Sequence, residues 1–191
     1  MSLVLRGFSI SLVIVLMTGI LPARGEGLID RQGLMLIYGR SNWTNVGPKP
    51  AIDYEWTTAA YVLTHDTAPW LSIETRIGAG YLEADNGGDC VSAELRILAD
   101  IHYKWLFVQF GTGLARIFNA EALPGLAETR VHSILSGAAG LRFPIRAGTT
   151  APVELTLGYG VEHLSAISKN GSEGDTGWNA GGPRMAVTWR F

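Results

Sequence analysis

Polar and apolar positions alternate along most of this chain with a period of two residues. Val91, Ala93, Leu95, Ile97, Ala99, Ile101 and Tyr103 share one face and oppose Ser92, Glu94, Arg96, Asp100, His102 and Lys104. Successive side chains of a strand point to opposite faces, so this pattern predicts a β-strand with one apolar and one polar side. Leu71, Ile73, Ile77, Ala79 and Tyr81 likewise oppose Ser72, Glu74, Arg76, Gly78 and Gly80. Ile52, Tyr54, Trp56, Thr58, Ala60 and Val62 oppose Asp53, Glu55, Thr57 and Tyr61. The rhythm predicts eight strands, near Leu34 to Arg40, Ile52 to Leu63, Leu71 to Leu82, Val91 to Lys104, Leu106 to Phe118, Thr129 to Pro144, Val153 to Ser165 and Arg184 to Phe191.

Strand length separates two architectures. An apolar face is either the core of a soluble sandwich or the outside of a membrane barrel. Soluble strands are usually about 5–6 residues long, whereas a tilted strand needs about 9–11 to cross a bilayer, and most of these segments reach that length. The reading is an all-β fold: an eight-stranded antiparallel transmembrane β-barrel with both termini on one side. Eight strands enclose an interior just wide enough to fill with side chains. Glu55, Glu74, Arg76, Glu94, Arg96, Arg130, Arg142, Glu154, Glu162, Arg184 and Arg190 are expected to form a charge-paired plug. Glycines 78, 80, 111, 113, 158 and 160 would relieve crowding in it. Tyr38, Trp70, Tyr81, Tyr103, Trp105 and Trp189 fall near strand ends, where barrels carry aromatic girdles.

The N-terminus adds a compartment. Arg6, the apolar run from Gly7 to Leu21 and Ala23-Arg24-Gly25 read as the three parts of a cleaved secretory signal, residues 1–25. The barrel domain is then 26–191. Its 13 basic and 17 acidic residues give a formal charge of −4, once Arg6 and Arg24 are taken from the 15 basic residues of the whole chain. That balance argues against a nucleic-acid partner, which calls for a basic surface. The single cysteine, Cys90, has no partner for an internal disulfide and reads as a loop-edge residue. Beyond the leader no apolar run is long enough for a transmembrane helix, so membrane residence would have to come from strands.

Candidate chemistry lies at the end of the seventh strand. The apolar stripe Val153, Leu155, Leu157, Tyr159, Val161 continues on the same face into His163 and Ser165. Residues two apart lie about 6.5–7 Å apart along a strand, so an imidazole can reach the hydroxyl. In a periplasm-to-exterior crossing order, both stand at the outer tip of an odd strand and face the lipid. His102 and His132 fall on inward faces and lack metal-ligand spacing; no metal or cofactor is expected. Gly111-Thr112-Gly113 lacks the remainder of a dinucleotide fingerprint.

Val161-Glu162-His163-Leu164-Ser165, followed by a polar loop, Asn179-Ala180-Gly181 and a terminal strand, resembles the PagL-type lipid A 3-O-deacylases. A C-terminal Phe191 after an alternating strand also resembles the terminal signature of bacterial outer-membrane barrels. The specific part of the family likeness spans about 20 residues. It implies an outer-membrane esterase that hydrolyses the 3-O-linked acyl chain of lipid A in the outer leaflet, with Ser165 as nucleophile and His163 as base. The family's serine is followed by an asparagine and this chain has Ala166; the family's acid falls two residues after the glycine of Asn-x-Gly, where this chain has Pro183. Glu173, or alternatively Asp175, is the candidate acid, and strand alternation points Glu162 inward. The competing readings are a catalytically silent member that binds lipopolysaccharide, or a small structural or adhesive outer-membrane barrel.

Overall fold

The structure is a computed structural model that describes residues 29–41, 53–85, 87–119, 131–145, 153–166 and 178–190. Arg130, Glu173, Asp175, Phe191 and the leader lie outside the described residues. The chain folds into eight strands: β1 (Arg31–Arg40), β2 (Tyr54–Ala68), β3 (Leu71–Ala84), β4 (Asp89–Tyr103), β5 (Leu106–Phe118), β6 (Val131–Ile145), β7 (Val153–Ala166) and β8 (Trp178–Arg190). Each pairs antiparallel with its sequence neighbours, and β1 pairs with β8 to close the barrel. Arg31 stands opposite Arg190, so the first and last strands meet at one end, called here the terminal end. The opposite, loop end carries the β1–β2, β3–β4, β5–β6 and β7–β8 connections. This closed antiparallel fold is compatible with a bacterial outer-membrane protein.

The wall is apolar outside. Ile77, Leu95, Ile97, Val108, Phe110, Leu114, Leu135, Leu157, Tyr159 and Met185 are all exposed. At the terminal end Trp70, Tyr103 and Trp105 are more than half exposed, forming the aromatic rim that the strand ends predicted.

The lumen is filled in layers. At the terminal end Arg31 pairs with Asp66 (2.7 Å) and Glu154 (2.9 Å), and Arg142 pairs with Asp100 and Glu154. Next come Glu74, Arg76 and Gln109, then Glu94, Arg96, Glu162 and Arg184. Above these, toward the loop end, lies an apolar cluster of Tyr54, Trp56, Leu82, Ala84, Cys90, Ala115, Ile117, Ile134, Leu164 and Ala180. Glycine is required where the charges crowd the wall. A Cβ on Gly160 would collide with the Arg184 guanidinium, and one on Gly80 would meet the Glu94 carboxylate and lie 2.7 Å from the Trp56 Nε1.

Several expectations need correction. In β2 the face of Tyr54, Trp56, Thr58, Ala60 and Val62 lines the lumen, and Glu55 is not part of the plug: it stands on the outer side, paired with Arg40 at 3.1 Å. The reason is that these residues carry polar handles. Trp56 Nε1 donates to Glu94 (3.0 Å), Thr58 Oγ1 donates to the same carboxylate (3.1 Å), and the Arg96 guanidinium lies 5.0 Å from the Trp56 ring centroid. The plug is also capped by apolar packing, so it is charged only through its middle and terminal end. Cys90 accordingly sits buried in that cap rather than at a tolerant loop edge. Arg190, although on an inward position, is largely exposed at the terminal rim, where it reaches Asp66 at 3.0 Å.

The last strand begins six residues earlier than its alternation suggested, at Trp178 rather than Arg184. Gly181-Gly182-Pro183 reads as a break, yet it is carried inside β8. Pro183 has no N–H to give, and the β1–β8 register accordingly skips from Ile37↔Arg184 to Arg40↔Gly181. Gly182 allows the β1 backbone at Tyr38 and Gly39 to approach closely at the same point. The β7 side of the strand stays in register throughout, from Val153↔Trp189 to Leu164↔Trp178.

Candidate functional site on the outer wall

The early start of β8 brings Asn179 across from His163. The two are ladder partners, so both side chains leave the same side of the sheet, and His163 Nδ1 lies 2.9 Å from Asn179 Oδ1. Facing the Asn179 side-chain oxygen, Nδ1 can donate in the tautomer that carries the ring proton there. That leaves Nε2 with its lone pair, the tautomer a general base needs. His163 is half-buried and Asn179 is buried, 5% exposed.

Ser165 is held from the other side. Its ladder partner is Ser133 of β6, and the two hydroxyl oxygens are 2.9 Å apart. Ser133 Oγ also lies 3.3 Å from the Ser165 carbonyl oxygen, to which it can donate. Among the described residues the Ser165 hydroxyl is therefore paired with Ser133 rather than with His163. Both serines are half-buried.

The strands that carry these groups are fixed from behind. Leu164 and Ile134, the inward neighbours of the three polar residues on β7 and β6, are fully buried, and Ala180 beside Asn179 on β8 is 1% exposed. Outward and away from the loop end, the same stripe of β7 continues through Tyr159 and Leu157, with Leu135 opposite His163 and Leu114 opposite Ser133. A base, a hydroxyl pair and an amide thus sit at the top of an exposed apolar surface. Such a surface can take an acyl chain while the polar cluster meets its ester.

Placement of the sequence candidates is mixed. His163 and Ser165 share the outer face at the loop end of β7, as the alternation implied. Glu173 and Asp175 lie outside the described residues. Glu162 is turned into the lumen, where Arg96 (2.8 Å), Arg184 (2.9 Å) and Ser136 occupy it. Pro183 is exposed on the outer wall but stands opposite Tyr159, two outward positions away from the pair that contains His163. It is Asn179 that faces the imidazole. His132 and His102 are inward positions, His102 Nδ1 lying 4.0 Å from Asp100. Among the described residues no group of three His, Cys, Asp or Glu side chains is arranged to hold a metal ion.

Sequence reasoning passed over Ser133 and gave Asn179 no role. Ser133 interrupts an otherwise apolar outward face, Val131, Leu135, Ala139, Leu141, in the way His163 and Ser165 interrupt theirs. That interruption was the available signal. Compared with protein-family profiles, curated proteins and solved structures, the chain matches none.

Proposed function

We propose that this protein is an outer-membrane serine esterase that removes the 3-O-linked acyl chain of lipid A. The observation that carries the reading is the His163–Asn179 hydrogen bond on the outer wall beside Ser165. An imidazole oriented by a third group shares one strand face with a serine two residues on, on the surface that a membrane lipid would touch. The exposed apolar belt, the aromatic rim and the secretory leader read from residues 1–25 support residence in the outer membrane. The likeness of Val161 to Ser165 to the lipid A deacylases supports the substrate class.

In this mechanism Ser165 Oγ attacks the ester carbonyl carbon while its proton passes to His163 Nε2. The tetrahedral adduct collapses, and the sugar 3-oxygen leaves with that proton. Water then adds to the acyl-serine and gives a proton to His163; the second adduct collapses, the imidazolium returns that proton to Ser165 Oγ, and the fatty acid is released. Asn179 holds the ring throughout. It is a neutral substitute for the acid, so it orients the imidazolium without offsetting its charge.

The test is mass spectrometry of lipid A from cells that express the full chain. Loss of one 3-hydroxyacyl group with wild type, and an unaltered lipid A with Ser165→Ala, is the expected result. A second reading rests on the Ser133–Ser165 hydroxyl pair, which leaves the nucleophile turned from the base. In that reading the barrel binds lipopolysaccharide without cleaving it, and a well-assembled wild type leaves lipid A intact.

A further inference from the structure

The hydroxyl of Ser133 lies 2.9 Å from the oxygen that would attack the ester, and it belongs to a different strand from the nucleophile and the base. We propose that Ser133 is the oxyanion donor of the reaction: its hydroxyl proton moves to the substrate carbonyl oxygen's side as negative charge develops there. The inference rests on the esterase reading and adds to it the group that stabilises the transition state.

The argument is one of position and of proton supply. In the tetrahedral adduct the oxyanion is bonded to the same carbon as Ser165 Oγ. Ser133 is the ladder neighbour of Ser165, so once Ser165 Oγ turns to His163 the Ser133 hydroxyl stays on the other side of the nucleophile and reaches the oxyanion by a turn of its own. In the resting arrangement the two serines share a contact, and Ser133 also faces the Ser165 carbonyl at 3.3 Å, at the long end of hydrogen bonding. When Ser165 gives its proton to His163 and bonds to carbon, it ceases to be a donor. The Ser133 proton then exchanges a long, neutral contact for a short, charge-assisted one, which is the difference that accelerates a reaction.

The surroundings suit the role. Ala166, the residue after Ser165, offers no side-chain donor. Ser133 is flanked on the outer wall by Leu114 across the β5–β6 ladder and by Leu135 two residues along, and both leucines are exposed to whatever surrounds the barrel. With an acyl chain laid over them, water is displaced and a hydrogen bond to developing charge gains strength. Ile134 and Leu164, buried directly behind the two serines, hold the β6–β7 spacing that sets the 2.9 Å separation.

The experiment uses the full barrel in mixed micelles with 3-O-acylated lipid A, comparing wild type with Ser133→Ala and Ser133→Thr. Removing one oxyanion donor costs about 10²–10³-fold in kcat. Ser133→Ala is expected to lose that much with KM little changed, because the ground-state carbonyl is held weakly. Ser133→Thr keeps the hydroxyl and is expected to recover most of the rate. An alkylboronic acid, which forms a tetrahedral anion on a serine, should inhibit wild type and Ser133→Thr but bind Ser133→Ala about 10²-fold more weakly. Heat-modifiable migration verifies that each barrel is folded. A Ser133→Ala protein as fast as wild type, or faster because the nucleophile is freed, overturns the role of Ser133 and leaves the esterase reading standing. No turnover by folded wild type overturns both.

Discussion

Two polar clusters share strand β7 and differ by a single step along it. Glu162 points into the lumen and is matched by Arg96, Arg184 and Ser136, all buried, so its charge is cancelled on the spot. His163, the next residue, points out and has one ring nitrogen 2.9 Å from the neutral amide of Asn179. Leu164 and Ser165 repeat the contrast, one fully buried and the other half-buried beside Ser133. The inner cluster pairs charge with charge inside the barrel; the outer one joins an imidazole to an amide and a hydroxyl to a hydroxyl on the wall. A period of two lets one strand carry scaffold and candidate chemistry at once without either constraining the residue types of the other.

The largest separation of the two clusters should come from His163→Ala and Ser165→Ala. Each is expected to abolish lipid A deacylation, a loss of at least about 10⁴-fold, with barrel migration and urea midpoint unchanged. Glu162→Ala should do the converse. Breaking a buried ion pair by removing one partner costs about 3–5 kcal/mol, which a shifted urea midpoint and partial loss of heat-modifiable migration would register. If His163→Ala unfolds the barrel as readily as Glu162→Ala, the division of labour between the faces is wrong.

A third comparison tests the wall itself. Ile97→Arg, on an outward position about half exposed, is expected to cost roughly 2–4 kcal/mol in assembly into a bilayer if it lies near the midplane. The same change made in a detergent-free soluble protein would be mild, so good assembly of Ile97→Arg would contradict membrane contact. The finest distinction concerns the third group. Asn179→Ala should lower kcat about 10²-fold by freeing the imidazole, whereas Asn179→Asp should match or exceed wild type because a carboxylate also offsets the imidazolium charge. Equal rates for Asn179→Ala and wild type would remove Asn179 from the mechanism.

How much of this was legible depends on how unambiguous each side chain is. The two faces of strand β4 were readable outright, because Leu95 and Ile97 belong on an apolar face and Glu94 and Arg96 on a polar one. Strand β2 misled, since Trp56 and Thr58 combine an apolar body with a hydrogen-bonding tip and serve the lumen by giving that tip to Glu94. The start of β8 was hidden by Gly181-Gly182-Pro183, a string that ordinarily ends a strand and here only interrupts the ladder on one side. His163 and Ser165 are visible within a single strand. Ser133 and Asn179 become their partners only through register, which depends on how three strands align and is written in no single segment.

The layered filling of the lumen has a kinetic consequence. Among the described residues, ion pairs occupy the middle and terminal end of the lumen and apolar packing occupies the loop end; on the esterase reading, a lipid would therefore meet the outward-facing His163 and Ser165 by arriving sideways, along the plane in which it is dissolved. Encounter is then a two-dimensional search. Turnover would follow the mole fraction of substrate in the surrounding layer rather than its amount per litre, and inert detergent added to the micelles would slow the protein by dilution without ever occupying its site.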